Sequence, residues 1–205
     1  MTLNTPPAAL RIVRPADGLE LDLDPLQGLW SVAQYLKLTD QSNHLIEFTD
    51  GVIEVLPMPT DKHQAISRLL LFALFAFVQR LGGTVFYAPL RVEVRPGKFR
   101  KPDLLVLRDA NDPRRQDAFW LGADLVVEIV SPDNPKRDTE EKPLDYAEAG
   151  IPEYWIVNPL HDTLTVLVLE GAAYAVYGVF QRGEWATSKL LDGFRVRVDA
   201  VFDAR

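Results

Sequence analysis

The chain has 205 residues, 47% of them hydrophobic and 25% charged, with a formal charge of −7 and no cysteine. That length supports one folded domain with a sizeable core. The absence of cysteine excludes disulfides and thiolate metal sites, and the acidic balance argues against a protein that coats duplex nucleic acid through a broad basic surface.

Residues 1–25 are rich in Pro and Asp and read as an irregular arm before a single domain over residues 26–205. The arm has no apolar core of signal-peptide length, which points to a cytoplasmic protein. "LWSVAQYLKLTD" reads as a short amphipathic helix. "HLIEFTDGVIEVLPM" reads as two strands around Asp50-Gly51, a pair that suits tight hairpins. "TDKHQAISRLLLFALFAFVQRLGG" reads as a long helix, capped by Asp61 and ended by Gly82-Gly83. Its apolar run, Leu69 to Val78, is ten residues. That fits a buried helix and is short for a bilayer span, so no membrane partner is expected. "TVFYAPLRVEV" and "PDLLVL" read as strands and "RDANDPRRQDAFWLGA" as a polar loop. "DLVVEIV" is a strand, "EEKPLDYAEAG" a short helix ended by Gly150, and "EYWIVN" a strand, with Tyr154 and Trp155 as core. From Thr163 onward the tail is mostly β. Strands and helices do not strictly alternate, so the expected class is α+β with a mixed sheet flanked by helices.

Two strands break their own pattern. "PDLLVL" opens on Asp103, and "DLVVEIV" carries Glu128 among apolar residues. Alternation places Glu128 on one face with Val126 and Val130. If the two strands are antiparallel neighbours, the start of one lies beside the end of the other, and the carboxylates meet at one end of the sheet. Buried together, they repel and lose hydration unless a cation or a shared proton compensates. Oxygen ligands on rigid strands suit Mg²⁺ or Mn²⁺; an internal ion pair for Glu128 is the structural alternative. Residues 91–115 add a local excess of four positive charges around Asp103, either a solvated edge or a patch that steers phosphates.

Pro102-Asp103, Glu128 followed by Ser131-Pro132, Asp138 with Lys142 and Tyr146, and Gly150 through Trp155 form a specific combination. In that combination the chain resembles the Uma-type family of restriction endonucleases, part of the PD-(D/E)XK nuclease superfamily. The resemblance runs from about "IEFTDGVIEVLPMP" to "EYWIVNP". It implies a restriction-endonuclease-like core and hydrolysis of phosphodiester bonds with a divalent metal. Asp103 and Glu128 match the metal-binding carboxylates. The superfamily places a lysine two residues beyond the glutamate, where this chain has Val130. Lys142, on the following helix, is the implied replacement. Its neighbour Pro143 disfavours helical geometry at Lys142, so Asp138, Lys142 and Tyr146 share a face only if the helix starts earlier.

Glu47 matches a family glutamate that often completes the metal site; the alternative is a charge on a hairpin face. His63 is a candidate substrate contact or proton carrier, and Arg100 and Lys101 are candidate phosphate contacts. Ser131 and Asp133 read as turn formers in "SPDNP". The expected protein is therefore a Mg²⁺- or Mn²⁺-dependent endonuclease acting on nucleic acid, with DNA favoured. Its apolar helix and aromatic β tail point to a homodimer. The rival is a non-catalytic module that keeps the nuclease fold as an interaction platform, a reading favoured by Val130 and by the net acidity.

Overall fold

The computed structural model describes residues 10–14 and 16–205. Residues 1–9 and Pro15 of the expected arm lie outside the described residues. The rest of that arm is not irregular throughout: β1 (Arg11–Arg14) pairs antiparallel with β2 (Leu19–Asp22) as an exposed ribbon. Helix α1 (Val32–Asp40) begins at Ser31, whose side chain and that of Gln34 cap each other's backbone N–H groups. Strands β3 (Ile46–Thr49) and β4 (Val52–Val55) form the expected hairpin. Asp50 and Gly51 both take positive φ there, as a two-residue turn of matching twist requires. A side chain at position 51 would strike the Gly28 carbonyl, at 2.5 Å.

Helix α2 (Asp61–Val78) follows. Its cap is Thr60 rather than Asp61, because the Thr60 hydroxyl accepts from the His63 N–H. The stretch Asp61–Leu81 is long and apolar enough, by length and composition, to cross a membrane. In this fold Ile66, Leu70, Leu74 and Val78 are instead spent on the core. Where one long strand was expected over "TVFYAPLRVEV", the structure has β5 (Thr84–Tyr87) and β6 (Val92–Arg95), in different sheets. Pro89 lacks the N–H that would continue the ladder, and a turn from Tyr87 to Leu90 redirects the chain.

Strands β7 (Lys98–Arg100), β8 (Leu104–Leu107) and β9 (Leu125–Ile129) lead to a π-helical turn, Arg137–Glu141, that runs into α3 (Lys142–Glu148). Then come β10 (Glu153–Asn158), β11 (Thr163–Glu170), β12 (Ala173–Phe180), β13 (Trp185–Thr187), β14 (Arg195–Arg197) and α4 (Val198–Phe202). Six strands form the main sheet in the order β12-β11-β10-β9-β8-β5; only β9 and β10 run parallel. A second sheet has the order β4-β3-β7-β6. The class is α+β with a mixed sheet, as expected.

Alternation sorts the core. Leu125, Val127 and Ile129 face α2 and α4, together with Trp155. Val126 and Val130 face the opposite side with Tyr146 and Tyr154. Glu128 falls on that second face, one of few charged groups there, and is 2% exposed.

Candidate active site

The antiparallel ladder of β8 and β9 pairs Leu104 with Val127, so one step further sets Asp103 opposite Glu128. A hydrogen bond locks that step: the Ile129 N–H donates to Asp103 Oδ2 at 2.7 Å. Both carboxylates line one cavity of about 610 Å³, together with His63, Lys101 and Lys142. His63 Nε2 stands 3.2 Å from Asp103 Oδ2. Burial disfavours the charged imidazole, but the Asp103 hydrogen bond and charge outweigh it and raise the His63 pKa. His63 Nδ1 is buried without a partner among the described residues.

Lys142 Nζ lies 2.9 Å from Glu128 Oε1 and 2.9 Å from Asp138 Oδ1. The helix does start earlier than Pro143 alone would allow. In a regular α-helix the Pro143 ring would meet the carbonyl four residues back. The π-helical turn widens the coil there, with the Lys142 N–H bonded to the Arg137 carbonyl. Asp138 and Lys142 thereby reach the same site. Tyr146, one turn beyond Lys142, packs on Tyr154 and donates its hydroxyl to Glu128 Oε1 at 2.5 Å.

Burial holds the Glu128 carboxyl well above the ordinary value; Lys142 pulls it down, while Asp103, Asp138 and Glu47 push it up. Burial would also strip the Lys142 proton, but Glu128, Asp138 and Glu47 keep that ammonium charged and raise its pKa. Asp103, Glu128 and Asp138 thus gather around the Lys142 ammonium, and a divalent ion would relieve their mutual repulsion. Among the described residues, Asp103 Oδ1 and Glu128 Oε2 have no hydrogen-bond partner, yet neither is sealed from the cavity. Two free hard oxygens fit Mg²⁺ or Mn²⁺, which commonly take one or two carboxylates and complete their shell with water and phosphate. A contrast is Glu153, equally buried, whose oxygens accept from Trp155, Ser188, Lys189 and Leu190 and have nothing left to offer.

Both oxygens of Glu47 are engaged by the protein. No cluster of three or more His, Asp or Glu side chains poised for a metal ion occurs among the described residues. Glu47 Oε1 accepts from the Lys101 N–H at 3.0 Å, and Oε2 lies 3.1 Å from Arg137 and 3.6 Å from Arg100. Burial works to raise its carboxyl, but Lys142, Arg100 and Arg137 hold it below the ordinary range. Arg100 is likewise held by protein partners. Its guanidinium binds Asp145 at 2.7 Å and Thr49 at 2.9 Å, inside a network that also ties Lys98 to Asp145. Lys101 differs: its side chain reaches the cavity and pairs with no acceptor among the described residues. Sequence reasoning missed Arg137, which bridges Glu47 and Glu54 and ties the first hairpin to the turn before Lys142. Nothing in "NPKRDTEE" separates that arginine from its solvated neighbours.

A family model described as "Uma2: Putative restriction endonuclease" matches residues 32–199. The chain belongs to the Uma2 family. A crystal structure described as a putative nuclease belonging to DUF820, from Anabaena variabilis, is similar with a TM-score of 0.67 and 20% identity. That match covers 82% of this chain and 96% of the other. The restriction-endonuclease-like fold expected from the resemblance is thus the fold observed. No curated protein matches the chain.

Proposed function

We propose that this Uma2-family chain is a metal-dependent endonuclease that hydrolyses phosphodiester bonds of nucleic acid, with DNA the favoured substrate. The observation that carries the reading is Asp103 opposite Glu128 at the floor of the cavity, with Lys142 Nζ 2.9 Å from Glu128. Asp103 and Glu128 would hold Mg²⁺ or Mn²⁺, whose chemistry is to polarise the scissile phosphate and acidify water. Lys142 is kept charged by its neighbours. It therefore serves as a fixed cation for the charge that develops on phosphate, not as a base. Two of its three N–H groups answer Glu128 and Asp138, leaving a third for substrate. His63 lines the cavity with Nε2 committed to Asp103, so it orients that carboxylate. Lys101 offers a phosphate its unpaired ammonium.

Metal binding tests the reading. Mg²⁺ or Mn²⁺ at about 100-fold above its dissociation constant should stabilise the native state by about 2.7 kcal/mol. Asp103→Ala and Glu128→Ala should each lose most of that gain in a melting experiment. A parent chain that ignores both metals would favour the platform reading, and variants that respond like the parent would move the site elsewhere.

The homodimer is a second proposal. Phe72 and Phe75 stand 64% and 45% exposed on one face of α2, away from the core. Burying them against a second copy would remove that apolar surface from water. Light scattering at micromolar concentration should give twice 23.1 kDa; the single mass would reject the dimer.

A further inference from the structure

The cavity that holds the carboxylates is built for a small footprint. Its volume of about 610 Å³ is that of a pocket for one compact ligand. Duplex binding draws most of its non-specific affinity from many Lys and Arg contacts to phosphates. Here the cations around the cavity are largely committed to the protein. Lys62 holds the Phe202 and Ala204 carbonyls, Arg91 pairs with Asp40, and Arg137 pairs with Glu47 and Glu54. Lys101 is the exception: it is 6% exposed, lines the cavity, and has no acceptor among the described residues.

Tyr87 lines the same cavity. It ends β5 next to the site, because its ladder partner is Leu104 and the Ala88 N–H donates to the Asp103 carbonyl. Its ring is 57% exposed, and no hydrogen bond fixes its hydroxyl among the described residues. It lines both the main cavity and a side groove with Gln64, Ser67 and Arg68. The groove gives a chain somewhere to continue past the ring. Met58 and Pro89 add further apolar surface to the cavity. Flat and apolar groups of this kind suit the faces of bases, and a paired duplex keeps those faces hidden in its stack.

We infer that the substrate is single-stranded nucleic acid, one phosphate held by Lys101 while an adjoining base stacks on Tyr87. The inference rests on the nuclease reading above and names its substrate class. Stacking is sequence-tolerant, so little base preference is expected at that position.

Fluorescence anisotropy with a labelled oligonucleotide, single-stranded or annealed to its complement, tests it, with Ca²⁺ in place of Mg²⁺ and the full chain. The single strand should bind at least about tenfold tighter than the duplex. Tyr87→Ala should weaken single-strand binding by about 5–150-fold, the range of a base–aromatic stack, and Tyr87→Trp should restore it. Lys101→Ala should lower affinity and reduce the salt slope by about 0.7, one phosphate's share on a single strand. Equal or tighter duplex binding, or single-strand binding indifferent to Tyr87→Ala, overturns the inference and leaves the nuclease reading standing. Binding to neither form overturns both.

Discussion

Glu47→Ala is expected to destabilise the fold by about 3–5 kcal/mol, the usual cost of removing one partner from a buried ion pair. For a chain of this length that is a fall in Tm of roughly 6–20 °C. Glu47 is fully buried and its carboxylate faces Arg100 and Arg137, which alanine would leave with charge in a closed site. The loss stays below collapse because Arg100 keeps Asp145 and Arg137 keeps Glu54. Glu47→Gln should cost less, since the amide oxygen can still accept from the Lys101 N–H. Denaturant unfolding gives both values. The same glutamine variant decides between ion pair and metal ligand. It should keep the melting response to Mg²⁺ that Asp103→Ala loses. A stable Glu47→Gln protein with no metal response would place Glu47 in the metal set.

The choice between ion pair and metal ligand at Glu47 marks where the sequence stops being readable. A carboxylate in an apolar strand is visible because it breaks a pattern with a known period, as Asp103 and Glu128 do. Their meeting needed only an antiparallel pairing, which the ladder provides. The α+β class, the Asp50-Gly51 hairpin and the apolar seam of α2 come from equally local signals. Glu47 and Arg100 have no such signal. Whether a carboxylate or a guanidinium is free for a ligand depends on what faces it across space, and Arg137 lies 90 residues from Glu47. The helix before Lys142 was obscured for another reason. Pro143 argues against regular helix at Lys142, and a π-helical turn satisfies the proline without breaking the coil. The split of "TVFYAPLRVEV" follows from Pro89, a residue confined to strand edges and ends.

Lys142→Ala is expected to lower Mg²⁺-dependent cleavage by about 10²–10³-fold, the contribution of one fixed cation to a developing oxyanion. Metal binding should survive, because an ammonium ligates no cation and Asp103 Oδ1 and Glu128 Oε2 are untouched. The fold should survive as well. Without Lys142 and without metal, the Glu128 carboxyl, already raised by burial, can take a proton that a bound divalent ion displaces, and Tyr146 still reaches its Oε1. Lys142→Arg should rescue poorly. The ammonium meets Glu128 and Asp138 each at 2.9 Å as a point charge, a pair of contacts that a longer planar fork does not reproduce. The informative variant adds Val130→Lys to Lys142→Ala. Val130 shares the Glu128 face of β9 and also borders the cavity, so a lysine there can pass its stem over Tyr146 and bring its ammonium to the carboxylates. Overpacking that face should cost about 1–3 kcal/mol. Single-turnover cleavage should recover in part, showing that the charge matters and its point of attachment does not. Full activity of Lys142→Ala, on a substrate that the parent cuts, would remove Lys142 from the chemistry and leave it as the buried counter-ion of Glu128 and Asp138.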